Sequence, residues 1–427
     1  MDYQFADFDT AHFRAEPRRT AIGPWTVEHL SFGVPATLDH APIVFIGGAF
    51  QNAWSFLREV RHFIEQRPVI LVDLPGQGQN NQLSEPLTFR DFATLLRQFL
   101  DEHRIDRIVP VGLSYGSGIA YTFAQQSPDR VERLILGGTT EQIRARVHRA
   151  LLTSFWYLDQ GRDDVFAASV LHHLLNLSQR NVTGISDRVV DSLRLGMMEL
   201  TDVERLRYKH NSTRLFTDKL GGEVGCKTLI FTATHDHFTA PFEALSLAQR
   251  CKQSEFVMIE RGDHLAPVEN PRTVIALYDA FLNDRPLAGI PGVHTGSAAV
   301  DATKERRMLE RRDGRRRDVR VKLPGGVETK AVLLDYNAHG CLFEPSNGAS
   351  LENGDEPVRI AISAIGAESD AVLLPDTRGV RAVFLQDAFA TLGKMPVMTV
   401  EMPLPSDLRQ SGRRISIAQR LADLPEE

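Results

Sequence analysis

The chain has 427 residues, 42% of them hydrophobic and 24% charged, with a formal net charge of −6. That length exceeds the ~250–300 residues one hydrophobic core serves, so two or three domains are expected, and ordinary globular usage excludes a largely disordered or fibrous chain. The mild acidity gives no overall case for nucleic-acid or membrane binding, so any basic site must be local.

At the N-terminus, Asp2 and Asp7 stand where a signal peptide needs a basic start and an apolar run. No uninterrupted apolar stretch approaches the ~18 residues of a membrane span. The three cysteines, Cys226, Cys251 and Cys341, are too scattered for a disulfide framework or a CxxC zinc site. A soluble, cytoplasmic protein is expected.

Trp25–Phe32 alternates like an antiparallel strand added to a sheet edge. From Ile43 onward, short β-branched runs alternate with segments of helical period: Ile43–Ile46, Val69–Val72, Arg107–Val111, Arg133–Leu136, Lys227–Thr232 and Glu255–Ile259. This pattern predicts an α/β fold, a parallel sheet covered by helices. Thr88 and Asp91 predict a capped helix whose Phe89, Phe92, Leu95, Leu96, Phe99 and Leu100 face one core. The alternation lapses at about 142–217, where Leu151-Leu152, Phe155-Trp156, Val170-Leu171, Leu174-Leu175 and Met197-Met198 suggest a helical cap inserted between two strands. These side chains either line a greasy substrate cavity or pack the cap's own core. Residues 1–285 are therefore read as the first domain.

Residues 286–303 have the Gly, Pro and small-residue composition of a linker. A run of arginines opens residues 304–427, followed by short β-like runs and turns to Val400 and an amphipathic, helix-like tail from Ser406 to Leu424. A small β domain with a C-terminal helix is expected there.

The chemistry centres on Gly112-Leu113-Ser114-Tyr115-Gly116, which follows a strand and precedes a helical segment. In that setting G-x-S-x-G is a nucleophile elbow. A serine hydroxyl needs an imidazole to take its proton and a carboxylate to orient that imidazole. Asp236 and His264 each follow the end of a later strand, and ends of parallel strands share one sheet edge, so Ser114, Asp236 and His264 are expected to converge. The amide of Tyr115 and one from Ala49 or Phe50, in the loop Gly47-Gly48-Ala49-Phe50, are the candidate oxyanion donors. Asp73, in Asp73-Leu74-Pro75-Gly76-Gln77-Gly78, is expected to shape a turn, and Glu141 is an alternative acid. His235 and His237 flank Asp236 in a turn that would point them apart, so no metal is expected. His172-His173 is expected on a helix surface.

These residues resemble the α/β-hydrolase superfamily from Ala41 to Asn283. The Gly48-Ala49 pair, the Asp-Leu-Pro stretch and the helical cap are similar to the hydroxyalkanoyloxyalkanoate synthases of rhamnolipid biosynthesis, which join two hydroxyacyl units from acyl carrier protein or coenzyme A thioesters. The resemblance implies a small-molecule acyl substrate, hydrolysis or acyl transfer, and no cofactor for catalysis. A catalytically silent sensor, or a constitutive esterase whose β domain docks a partner, are the rival readings.

In the second domain, Arg311-Arg312-Asp313-Gly314-Arg315-Arg316 gives an R-x-x-x-R spacing suited to phosphates and purine faces. Asp335, Asn337 and Gly340 follow. The two segments resemble a PilZ domain, the bacterial receptor for cyclic di-GMP, with Asn337 where that family usually has serine. The resemblance implies cyclic di-GMP as a regulatory ligand on Arg311, Arg312, Arg315, Arg316, Asp335, Asn337 and Gly340. No aromatic stacking platform interleaves with the arginines, so nucleic acid is not the expected partner.

Overall fold

A computed structural model describes residues 16–303 except 86, and in the C-terminal region residues 312–313, 318–322, 327–337, 339–346, 351, 356–362 and 367–386. Arg311, Arg315, Arg316 and the expected C-terminal helix lie outside the described residues.

The first sheet contains β1 (Arg18–Ile22), β2 (Trp25–Phe32), β3 (Ile43–Ile46), β4 (Val69–Asp73), β5 (Val109–Leu113), β6 (Arg133–Gly137), β7 (Val224–Ala233), β8 (Cys251–Ile259) and β9 (Val293–Thr295). Its order is β1-β2-β4-β3-β5-β6-β7-β8-β9. The six strands from β4 to β8 in that order run parallel, and β1, β2 and β9 are antiparallel additions. Strands β3, β4 and β5 are buried along their whole length, as strands covered on both faces must be. Against expectation, β2 does not form the edge: Arg18–Ile22 pairs outside it.

Helices α1 (Leu57–Phe63), α2 (Phe89–Glu102) and α3 (Tyr115–Gln126) follow β3, β4 and β5. The cap expectation is met in outline by α4 (Ala145–Asp159), α5 (Asp163–Leu174), α6 (Arg180–Thr183), α7 (Asp187–Met198) and α8 (Asp202–Thr217), all between β6 and β7. Helices α9 (Pro241–Ala248), α10 (Ala266–Glu269), α11 (Pro271–Leu282) and α12 (Gly296–Ala302) complete this part. One core on α2 and α3 and another beneath α1 and α11 cover the two faces of the sheet. Helix α2 starts as read: Thr88 N donates to Asp91 Oδ2 at 2.8 Å, Asp91 N donates back to Thr88 Oγ1 at 3.3 Å, and the six named apolar residues are buried.

Residues 286–303 do not form the expected linker. Gly292, at φ +76°, turns the chain, Val293–Thr295 pairs with the open side of β8, and α12 follows with Ala299 fully buried. The composition that suggested a spacer supplies the turn that lets the chain rejoin the sheet.

The C-terminal strands are β10 (Arg312–Asp313), β11 (Asp318–Lys322), β12 (Glu328–Asn337), β13 (Gly340–Pro345), β14 (Val358–Ile362), β15 (Ala367–Asp376) and β16 (Gly379–Phe384). Strands β11 to β16 close into a six-stranded antiparallel barrel, while β10 pairs with β12. Its interior holds Val319, Val321, Leu333, Phe343, Ile360 and Leu373. The barrel is docked on the cap: Val372, Val383 and Leu385 join the core built by Tyr157, Phe166 and Met197, and Tyr157 Oη donates to Asp370 Oδ2 at 2.8 Å.

Candidate active site

Strand β5 ends at Leu113, and the chain reverses at Ser114 into α3. Ser114 takes φ +49° and ψ −118°, a conformation L-residues rarely adopt. The turn survives because its flanking residues have no side chain. A Cβ on Gly116 would lie 2.2 Å from Ile46 O, and one on Gly112 would lie 2.6 Å from Gly116 O. The sharp turn pushes the Ser114 hydroxyl out at the carboxyl end of the sheet.

The loops after β7 and β8 bring two partners to it. His264 Nε2 lies 2.9 Å from Ser114 Oγ, and His264 Nδ1 lies 3.0 Å from Asp236 Oδ2. A carboxylate accepts, so Nδ1 carries the imidazole proton and the Nε2 lone pair faces the serine hydroxyl. Asp236 is buried, with Oδ1 accepting from Phe238 N (3.1 Å) and Thr239 N (2.8 Å) and Oδ2 accepting from Thr239 Oγ1 (2.7 Å). Burial would raise its pKa, but His264 and the Thr239 bonds outweigh that and hold the carboxyl below its ordinary range. Burial would likewise lower His264, yet Asp236 and then Asp263 leave it raised.

A cavity of about 1020 Å³ opens beside Ser114, between the sheet end and the cap. Ala49, Phe50 and Tyr115, the candidate oxyanion residues, line it. Tyr115 is the first residue of α3, so its N–H has no acceptor within the helix. The loop Gly47–Phe50 comes close, since a Cβ on Gly48 would stand 3.3 Å from Ser114 Cβ. The cap's apolar residues divide between the two roles left open above. Leu151, Val170 and Leu174 line the cavity as well as packing the cap, while Leu171, Leu175 and Met197 pack the cap alone.

A family model described as alpha/beta hydrolase fold matches residues 41–271, more than half of the chain. The chain belongs to the α/β-hydrolase fold family.

Among its curated relatives is the (E)-2-((N-methylformamido)methylene)succinate hydrolase of Acinetobacter baylyi, 23% identical over 246 residues, covering 57% of this chain and 91% of the relative. Another is the (R)-3-hydroxydecanoyl-ACP:CoA transacylase of Pseudomonas aeruginosa, 23% identical over 275 residues, covering 61% and 86%. Among solved structures, an alpha/beta hydrolase enzyme from a Medee basin deep-sea metagenome library superposes with a TM-score of 0.57 at 20% identity, covering 63% of this chain and 98% of its own. A thermophilic esterase from Thermogutta terrifontis gives 0.53 at 21% identity, covering 63% and 99%. The structural likenesses are of fold, and the two curated relatives span a hydrolase and an acyl transferase.

In this α/β-hydrolase-fold chain, Asp73 is not among the residues lining the cavity. Its Oδ2 accepts from Gln79 N (3.2 Å) and Ala53 N (3.4 Å), and a Cβ on Gly78 would collide with its carboxylate, so Asp73 shapes the turn after β4. Burial pushes its pKa up to about 7. Glu141 pairs with Lys219 and Arg250 at 3.2 and 3.0 Å.

Several supports of the site lack a local sequence signal. Thr239 Oγ1 sits 3.2 Å from His264 Nδ1 as well as on Asp236. From the N-terminal end of the cap, Arg144 and Arg146 Nη2 donate to His237 O at 2.5 and 3.0 Å. Arg214, buried in α8, donates to Tyr115 Oη and to Ser84 O, tying the cap to the nucleophile helix. His172 and His173, expected on a helix surface, are buried instead, because α5 lies between the cavity and the docked barrel. His235 is partly exposed and His237 buried. Among the described residues no cluster has metal-binding geometry, and no helix is long and apolar enough to cross a membrane.

On the barrel, Arg312 and Asp313 pair in register with Tyr336 and Asp335, which sets the start of the arginine motif beside the second motif. Asp335 Oδ2 accepts from Arg378 Nη2 at 3.2 Å, and Asn337 Oδ1 accepts from His339 N at 3.0 Å. Gly340 is required by close approach, since a Cβ there would lie 2.2 Å from Ala382 O.

Proposed function

We propose that this α/β-hydrolase is a serine enzyme that forms an acyl-Ser114 intermediate from an acyl ester or thioester and passes the acyl group to water or to a hydroxylated acceptor. The observation that carries this reading is the unbroken relay from Ser114 Oγ through His264 to Asp236, at 2.9 and 3.0 Å, on the wall of a large, mostly apolar cavity. Ser114 Oγ attacks the acyl carbonyl while His264 Nε2 takes its proton. The tetrahedral oxyanion forms towards the amides of Tyr115 and of Ala49 or Phe50. Collapse breaks the bond to the leaving alkoxide or thiolate, which receives the proton from His264. The acceptor then attacks the acyl-enzyme with His264 again as base, restoring the serine. No cofactor takes part.

Hydroxyacyl thioesters are the favoured substrate class. The cavity accommodates a long chain, and a relative is described as a hydroxydecanoyl transacylase. A fluorophosphonate should label the wild-type chain and leave Ser114→Ala unlabelled. Persistent labelling of the folded variant would remove the assignment. Incubation with hydroxyacyl thioesters and mass spectrometry of the products separates transfer from hydrolysis.

The barrel is proposed to receive cyclic di-GMP at Arg311, Arg312, Arg315, Arg316, Asp335, Asn337 and Gly340. The specific support is the register that sets Arg312 beside Tyr336 on the strand carrying Asp335 and Asn337. Calorimetry at low salt with cyclic di-GMP should give saturable heat, reduced in Arg312→Ala. No heat at high micromolar nucleotide removes the regulatory reading and leaves a constitutive enzyme.

A further inference from the structure

The barrel reaches the serine site through a stack of buried imidazoles. His339, in the turn between β12 and β13, places its Nδ1 3.0 Å from His172 Nε2 on α5 and its Nε2 3.5 Å from Asn176 Oδ1. Its ring centroid lies 4.5 Å from that of His172 and 4.6 Å from that of His237. Asn176 Oδ1 accepts, so His339 Nε2 carries the proton, Nδ1 accepts, and His172 Nε2 donates to it. His237 Nε2 in turn donates to His172 O at 3.1 Å.

His237 directly follows Asp236, and its carbonyl is held by Arg144 and Arg146. Asp263, which directly precedes His264, accepts from His264 N at 2.8 Å and, with its other oxygen, from Asn176 N. Both loops of the relay are thus braced by the end of α5, and His339 completes that brace from the other domain. His172, His237, His339 and Asp263 are all buried, and burial keeps His172 and His339 well below the usual histidine pKa. Neutral, hydrogen-bonded imidazoles in a packed interior hold one arrangement rather than many.

We propose that His339 is a positioning residue of the hydrolase centre: through His172 and His237 it fixes the loop carrying Asp236, so the centre is fully formed only while the His339 imidazole is docked on the cap. The assignment rests on the serine reading above. It also gives the barrel a physical route to the relay. Asn337 Oδ1 holds the backbone N–H of His339, so a ligand that captures the Asn337 side chain removes a bond that presents the imidazole.

The test uses the full chain and four variants: H339A, H339Q, H339N and Y157F. Asparagine places its amide oxygen near the Nδ1 position and keeps an acceptor for His172, whereas glutamine extends towards Nε2 and loses it. Y157F cuts the bond to Asp370, a cap–barrel contact outside the cavity and the 235–239 loop. A fluorophosphonate gives the rate of Ser114 labelling, and a p-nitrophenyl acyl ester gives kcat and KM.

H339A and H339Q should lose kcat on the order of 10²-fold, the effect of a roughly 1 Å misplacement, with KM little changed because His339 does not line the cavity. H339N should recover most of kcat, and Y157F should keep it. Wild-type kcat in folded H339A, or equal losses in H339A and Y157F, overturns the assignment. If H339A does not fold, H339Q against H339N decides, and equal kcat overturns it. No Ser114-dependent labelling of the wild-type chain refutes the serine reading itself, and the role of His339 falls with it.

Discussion

Replacing Asp236 with asparagine isolates one property of the relay, the direction of a single hydrogen bond. Both oxygens of Asp236 are committed to donors, Oδ1 to the amides of Phe238 and Thr239, and Oδ2 to Thr239 Oγ1 and His264 Nδ1. In D236N one oxygen becomes an NH₂ group. It cannot face the two backbone amides, which only donate, so it must face His264 and the Thr239 hydroxyl, which can rotate to accept. His264 Nδ1 then accepts, the proton moves to Nε2, and Nε2 points a hydrogen at Ser114 instead of a lone pair. The base is lost with its geometry intact. Wrong-tautomer substitutions of this kind lower kcat by about 10⁴-fold, equivalent to about 5 kcal/mol of barrier. The assay is the initial rate of p-nitrophenyl ester hydrolysis, with fluorophosphonate labelling and thermal unfolding as companions. Because the two backbone bonds survive, D236N should unfold close to the wild-type temperature. Activity of D236N within tenfold of wild type refutes the assignment of Asp236.

The same site fixes how activity and folding respond to pH and how activity responds to acyl length. His264 acts as a base only when neutral, and although burial lowers its pKa, Asp236 and Asp263 leave it above 6.5; kcat/KM should therefore rise with pH to a midpoint above 6.5, and a lower midpoint contradicts the pairing. The raised pKa of His264 contributes to folding in the opposite sense, its share being complete below pH 6.5 and lost as pH climbs through the raised value, while the share of the depressed Asp236 is lost on acidification. In the cavity, each added methylene contributes ~0.8 kcal/mol, so kcat/KM across an acyl-ester series should climb about fourfold per carbon until the space is filled. V170W should shorten the optimal chain, and an unchanged optimum excludes this wall as the acyl site.

The relay is readable in the sequence because each member sits just past a strand, and strand ends of a parallel sheet converge whatever their separation. Ser114 has the added signal of glycines at 112 and 116, demanded by backbone contacts that no side chain tolerates. Thr239, Arg144 and Arg146 carry no comparable mark, since their roles depend on contacts across long separations. His172 and His173 mislead for a related reason. A helical pattern reports one covered face, and it holds no information about a distant barrel that covers another. The cap's extent follows from the lapse of strand alternation, but the division of its apolar residues between cavity and core depends on three-dimensional packing.

The segment joining the two halves has a consequence for any attempt to separate them. Cut at residue 285, the enzyme half would lose Val293–Thr295, and β8 would present a bare edge of unpaired amides and carbonyls on which neighbouring molecules can stack. An excised enzyme must therefore run through Ala302 to keep that edge sheathed and Ala299 buried. The stretch that leads out of the first half is thus also a working part of it, the outermost strand of its sheet.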